Sequence, residues 1–383
     1  MHLKSSSLLL SMSHWNRAIV HVVTLAIVLV FCGAWFDAHV ANAASNNVIY
    51  VDGTNYPYTA AGIEAAINDV PTPGGTGGAV MLPAAEIALG STGLIMRKHV
   101  CLIGITSDSS RLTYNGTGSA ITFPPGMVES CLKHVTVALG IYAGANAIGI
   151  SVQGNFNNDL QVVYNKIEDV SVSTGVVKPG QIGIDLADLS QPQPAPAGVS
   201  LSWFDTIKIV NLGQPIVVNG QEGNFWNGIQ INGFASIAVN DALGADDFWQ
   251  LRITGATASP SATGFLETGR MNQIHLTCDF GMGPERTCVN DAGGKNMWEV
   301  SALTPVGTVA SSSFFHETGS DAENIPSNFQ VSSLSITRAS STIRSDAPGC
   351  LEMGNSDGSA GTHYITFLNG VASVTTSKPP SCR

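Results

Sequence analysis

The fold class the sequence predicts is all-β: a right-handed parallel β-helix, with a short amino-terminal capping helix and a small carboxyl-terminal β tail. Three observations predict it. One phrase recurs, large or amide residues followed by an apolar–polar–apolar triplet: WFDTIKI, FWNGIQI, DFWQLRI, MNQIHL and NMWEV. Its last apolar residues are Ile209, Ile231, Ile253, Leu276 and Val300, at steps of 22, 22, 23 and 24. The residue two before each is also apolar (Ile207, Ile229, Leu251, Ile274 and Trp298). Alternation with period two is a strand with one buried face. A near-constant step in the twenties is a solenoid whose units bury their apolar faces on one another. A second strand phrase follows each of these (GIDL, PIVV, SIAV, GFLE and TCVN), so each coil holds at least two strands separated by Gly- and Asn-rich turns. Crossovers between parallel strands are right-handed.

The elements follow in chain order. Residues 1–43 read as a secretory signal: Lys4 and Arg17, an apolar run from Ala18 to Phe36, then Ala41–Asn42–Ala43. The apolar run is long for a signal, and the Ala-x-Ala site distinguishes it from an uncleaved anchor. The body is expected over 44–302. It opens with the strand VIYVDG at Val48. The stretch TAAGIEAAINDV then places Ile63, Ala66, Ile67 and Val70 on one helical face, a cap over the first exposed rung. GGTGGAVMLP and HVCLIGI are the next strands. LKHVTV with GISV, and IEDVSV with GIDL, are early coils with longer excursions. The Pro-rich SQPQPAPAG from Ser190 is a loop thrown out of one coil. Over 303–383 the rung pattern blurs. Two strand-like runs flank Asn369–Gly370, a hairpin signal, and Cys350 and Cys382 bracket them.

Cleavage after Ala43 would remove Cys32 and leave six of the seven cysteines, an even number suited to an oxidising compartment. Sequence leaves 15 pairings open. Nearest neighbours, Cys278 with Cys288 and Cys350 with Cys382, are the expectation.

The opening Asp52–Gly53, the helix after Thr59, the Gly-rich turn Gly74–Gly78, VMLP at Val80 and CLIGI at Cys101 together resemble the pectate-lyase-like superfamily, including its pectate-lyase-3 group. The chain has PAAE after Val80–Leu82 where that group usually has Gly and Tyr. The resemblance implies a polysaccharide partner bound along an exposed sheet.

The rung alignment supplies the candidate residues. With Ile207 and Ile209 inward, Lys208 points out, and the same position in later coils is Gln230, Arg252, His275 and Glu299. At the usual strand spacing of about 4.8 Å this row is roughly 19 Å long, the reach of several sugar units. A polysaccharide lyase needs a base to take a proton beside a uronate carboxylate and a cation for the developing charge. His275 and Arg252 fit those roles, with Lys208 and Gln230 as substrate-binding residues. Hydrolysis would instead need two carboxyl groups roughly 5–9.5 Å apart. Asp246, Asp247 and Glu299 are candidates, and Asp246–Asp247 in GADDFW resembles the paired Asp of polygalacturonase-like hydrolases. The aromatics before the strands (Trp203, Phe204, Phe225, Trp226, Phe248 and Trp249) suit either sugar stacking or a packed solenoid corner.

Other functions are not supported. The net charge of −11 disfavours nucleic acid. It also sits awkwardly with a polyuronate, which would need Ca²⁺ or the local Lys208/Arg252 patch. GGTGGAV lacks the Lys of a phosphate loop. GNSDGSAG misses calcium-loop spacing, and no Gly-x-Ser-x-Gly occurs. The expectation is therefore an exported polysaccharide-active protein with no stable membrane insertion after signal cleavage. It would be a lyase or glycoside hydrolase, or else a non-catalytic carbohydrate-binding or adhesion protein of the same fold.

Overall fold

The computed structural model describes residues 47–302, apart from 72–76, 156–157, 159, 189–197, 257–261, 280–286 and 294–295; beyond these it describes strands at 315–317, 329–330, 350–354, 362–368 and 371–375. The export segment and most of the Pro-rich loop lie outside the described residues.

The chain is a right-handed parallel β-helix. Two long parallel sheets of 13 and 11 strands alternate along the chain, and sequence-adjacent strands fall mostly in different sheets. In the larger sheet Cys131–Leu139, Lys166–Thr174, Trp203–Leu212, Phe225–Phe234, Phe248–Ala256, Gln273–Asp279 and Met297–Ala302 lie side by side in that order. Buried Val, Ile, Leu and aromatic side chains fill the space between the sheets in one continuous core. Ile209, Ile231, Ile253, Leu276 and Val300 all lie in the larger sheet, and each is at most 2% exposed. The stacking runs on past Ala302, where Phe315–Glu317 joins the smaller sheet and Phe329–Gln330 the larger.

The capping helix spans Ala60–Asp69, and the Thr59 hydroxyl accepts from the Gly62 N–H at its start. Ile63, Ala66, Ile67 and Val70 are all buried. Thr362–Leu368 and Val371–Thr375 pair as an antiparallel hairpin, and Cys350–Gly354 adds a third strand.

Two disulfides join neighbouring elements. Cys278–Cys288 closes a short excursion between the two sheets. Cys101–Cys131 links residues directly opposite on paired strands. Cys382, the expected partner of Cys350, lies outside the described residues.

The rung alignment differs from the expected one in a specific way. Lys208, Gln230 and Arg252 are in register, but the next positions are Thr277 and Ser301. His275 and Glu299 align instead with Gln250. The slip enters one coil after Arg252, where Ile253 pairs with Cys278 rather than Leu276, a step of 25 residues instead of 23. One coil earlier a bulge is lost without disturbing the Lys208–Gln230–Arg252 row. His134, Asp169, Thr206 and Gly228 occupy one position in four successive strands, all with φ between +49° and +65°. The next strand has no such extra residue: Trp226 pairs with Trp249, and Ile229 with Leu251. Apolar alternation repeats every two residues, so a slip of two leaves the pattern unchanged. It also leaves every side chain on the same face, and His275 and Glu299 remain outward.

Candidate functional site

Alternation sorts the strand residues onto two faces. On the inner face a polar ladder runs along one corner. Ser130, Asn165, Ser202, Asn224, Asp247, Asn272 and Asn296 are each at most 3% exposed. From Asn165 on, each side-chain oxygen accepts the backbone N–H of the ladder residue one coil earlier, Ser202 from Asn165 at 3.3 Å; the Ser130 hydroxyl instead donates to the Arg97 and Val128 carbonyls. Asn165 accepts from Ser130 (3.0 Å), Asn224 from Ser202 (2.9 Å), Asp247 from Asn224 (2.6 Å), Asn272 from Asp247 (3.0 Å) and Asn296 from Asn272 (3.0 Å). Every ladder residue up to Asn272 follows a left-handed corner residue: Glu129, Tyr164, Leu201, Gly223, Asp246 and Met271. Short polar side chains suit such corners, because they supply the partner that a buried turn N–H requires.

This accounts for Asp246–Asp247. Asp246 is the exposed left-handed corner residue at φ 55°, and Asp247 is a ladder member 2% exposed. The structure does not bring this pair together with His275 or Arg252.

Beside the ladder, Asp241, Glu267 and Asp291 stack in register on successive coils of the smaller sheet, each at most 2% exposed. Glu267 accepts from the Gly269 N–H (2.5 Å) and Asn272 Nδ2 (3.1 Å). Asp291 accepts from the Gly293 N–H (3.0 Å), Asn296 Nδ2 (3.2 Å) and Trp298 Nε1 (2.7 Å). Burial pushes the Asp241 carboxyl up to about 7. Burial, then the neighbouring Asp241, pushes Asp247 and Glu267 well above the usual carboxylate range. These acids belong to the solenoid's interior.

The outer face of the larger sheet carries a shallow depression of about 360 Å³. Gln230, Gln250, Arg252, His275, Thr277 and Glu299 contribute polar side chains to it. His275 Nδ1 lies 2.7 Å from Glu299 Oε2, and its Nε2 lies 3.1 Å from the Gln273 side-chain amide. This pattern sets the tautomer: Nδ1–H donates to the carboxylate, and the Nε2 lone pair faces outward and accepts from Gln273. Arg252 Nη2 donates to Asp279 Oδ2 at 3.0 Å and is half exposed. A guanidinium carries five N–H donors, so one such bond leaves donors for a ligand. The structure thus gathers Gln230, Arg252, His275 and Glu299 in one depression. Lys208 is exposed on the same outward column, next to Gln230.

Sequence reasoning left three features unread. The first is the partition of the aromatics. Phe204, Trp226 and Trp249 point inward and stack, with ring centroids 3.8 and 4.4 Å apart. Trp203, Phe225 and Phe248 occupy the in-register outward positions. Trp203 stacks on Phe225 at 6.0 Å, and Phe248 lies 5.4 Å from His275. The parity of adjacent aromatic residues was the signal available. The second is the carboxylate partner of Arg252, Asp279, which the two-residue slip brings beside it. The third is a second such dyad in the same outer column, His134 Nδ1 with Asp169 Oδ2 at 2.8 Å.

Among the described residues no group of three or more His, Cys, Asp or Glu side chains is placed to hold a metal ion. No described helix is long and apolar enough to cross a membrane.

No protein-family model and no curated protein sequence matches the chain. Several solved structures are similar to it. A tailspike protein of the Escherichia coli O157:H7 bacteriophage CAB120 is 11% identical, with a TM-score of 0.45, and the match covers 71% of this chain and 41% of that one. The chain therefore spans under half of that protein's length. Carrot pectin methylesterase is 11% identical, with a TM-score of 0.34 and coverage of 72% and 88%. Tailspike gp49 of the Acinetobacter baumannii bacteriophage Fri1, a capsular polysaccharide depolymerase, is 8% identical, with a TM-score of 0.28 and coverage of 87% and 79%. These likenesses carry nothing about residues or chemistry; the fold rests on the strand topology itself.

Proposed function

We propose that this chain is an exported polysaccharide-active protein that cleaves a uronate-containing glycan by elimination at the His275 depression. The observation that carries the reading is the Glu299–His275 dyad, open to solvent and next to Arg252 on a long, flat, polar sheet face. The reaction removes the proton beside a uronate carboxylate. His275 Nε2, released by the exposed Gln273 amide, takes that proton, and the Glu299 carboxylate holds the ring and stabilises the imidazolium that forms. Arg252 donates to the uronate carboxylate, on which negative charge builds. The bond between C4 and the bridging oxygen then breaks. A double bond forms between C4 and C5, and the departing oxygen receives a proton from solvent and becomes a new reducing end.

Export is supported by the leading basic–apolar–Ala-x-Ala segment and by the two disulfides, which suit an oxidising compartment. A second reading, a non-catalytic glycan-binding protein, is favoured by the Arg252–Asp279 pair, which offsets part of the cation's charge.

The test is a screen of uronate-containing polysaccharides for the ultraviolet absorbance of the unsaturated product. His275→Ala should remove at least about 100-fold of the turnover, the usual scale of a general base. Glu299→Gln should lower kcat more than it changes KM, because it acts on the imidazolium of the transition state. Full activity in both variants would sink the reading.

A further inference from the structure

The outer face is uneven in chemistry along its length. From the Trp203 coil to the Phe248 coil, three aromatic rings stand in register on the outward side. They border a second depression of about 250 Å³ that also includes Lys166, Asp205 and Asn227. The third ring, Phe248, touches His275. The two depressions thus adjoin, and a chain lying along the solenoid axis would cross the aromatic one before it reaches the dyad. Successive rings sit one coil apart, with the Trp203 and Phe225 centroids separated by 6.0 Å, the scale of one pyranose in an extended glycan.

The charges on this face are mostly balanced within the protein. Lys133 and Lys166 both bond Glu168, at 2.8 and 3.2 Å. Asp205 accepts from Asn227 at 2.9 Å. His134 faces Asp169. Arg252 is the cation that lines the dyad's depression, and Lys208 lies two coils earlier on the Trp203 strand; the aromatic stretch itself is lined by ring faces and by Lys166, which bonds Glu168, rather than by a row of cations. A homopolyuronate would lay one carboxylate on every ring. A neutral pyranose presents C–H groups to such a face, and contact there is favourable.

We infer that Trp203, Phe225 and Phe248 form a track of neutral-sugar subsites leading to a single uronate position at Arg252 and His275. The substrate class is then a linear heteropolysaccharide with isolated uronates among neutral sugars, rather than an uninterrupted polyuronate. This deepens the proposed function and rests on His275 as the base.

The experiment compares deacylated gellan, which carries one glucuronate among neutral sugars in each repeat, with polygalacturonate. Binding and release of unsaturated product are both followed, in the wild type and in Trp203→Ala, Phe225→Ala and His275→Ala. The wild type should bind and cleave gellan in preference to polygalacturonate. Trp203→Ala and Phe225→Ala should each weaken gellan binding roughly tenfold, the loss of about 1.4 kcal/mol of contact, with kcat little changed. Trp203→Phe should restore binding, which separates a lost ring face from a damaged fold. Polygalacturonate cleaved in preference, or gellan binding unchanged in both aromatic variants, would overturn the track even if His275→Ala is inactive. Wild-type protein that binds neither polymer would overturn it as well. Gellan bound through Trp203 and Phe225 but not cleaved would uphold the track and remove the elimination chemistry.

Discussion

Trp203 and Phe204, Phe225 and Trp226, Phe248 and Trp249 are three pairs of chain neighbours with opposite fates. The second member of each pair is at most 1% exposed and stacks in the solenoid interior. The first stands on the outer face, partly open to solvent, and leads to the His275–Glu299 dyad. The carboxylates divide in the same way. Asp247, Asp241, Glu267 and Asp291 serve the interior, where backbone N–H groups and ladder amides satisfy most of their oxygens. Glu299 and Asp279 serve the surface, where they hold His275 and Arg252. Residue type alone does not tell architecture from chemistry in this fold; the parity of the position does.

The sharpest break of that comparison is in stability. Trp226→Ala should cost ~3–5 kcal/mol in urea unfolding, because it empties a core site between two stacked rings. Trp203→Ala, one residue and one face away, should cost ~1 kcal/mol or less, since surface changes seldom cost more.

The interior acids should make stability depend on pH. Asp241 titrates at about 7 when folded and near the ordinary aspartate value when unfolded. Between those values the folded state binds the extra proton. Stability should therefore be fully present below about pH 4 and fall as pH rises to about 7, by on the order of a few kcal/mol. Asp241→Asn should flatten that decline. An unfolding midpoint that rises over the same window would contradict the assignment.

Asn224→Ala should cost ~1–3 kcal/mol, because the buried Ser202 N–H then loses its acceptor. Asn227→Ala, on the outer side of the same strand, should be close to neutral by the same assay. A modest effect belongs to the bulge: Gly228→Ala should cost ~1 kcal/mol, since φ is +65° and the added methyl meets only ordinary contacts.

Much of this fold was legible because a solenoid repeats its sequence signals in space. The coil length, the inward row from Ile209 to Val300 and the capping helix all follow from local periodicity. The face of His275 and Glu299 was legible too, because strand parity survives a slip of two. Their position relative to Arg252 was not, because Cys278 rather than Leu276 sits opposite Ile253, and both residues fit the same apolar alternation. Asp247 was misleading for a related reason. A ladder normally built of Asn or Ser accepts an Asp when the side chain keeps one acceptor oxygen in place, and no local pattern distinguishes that Asp from an exposed carboxylate in a turn.

On the proposed function, glycan chemistry belongs to the outer face and not to the buried carboxylates. The most direct measurement is turnover of one cleaved polysaccharide by His275→Ala and Asp247→Asn, assayed side by side with a thermal melt of each. His275→Ala should lose at least about 100-fold in kcat with its melting temperature nearly unchanged. Asp247→Asn should keep its turnover, because an Asn retains the oxygen that accepts the Asn224 N–H. An inactive Asp247→Asn that remains folded, beside a fully active His275→Ala, would move the chemistry to the buried carboxylates and exclude His275 as the base.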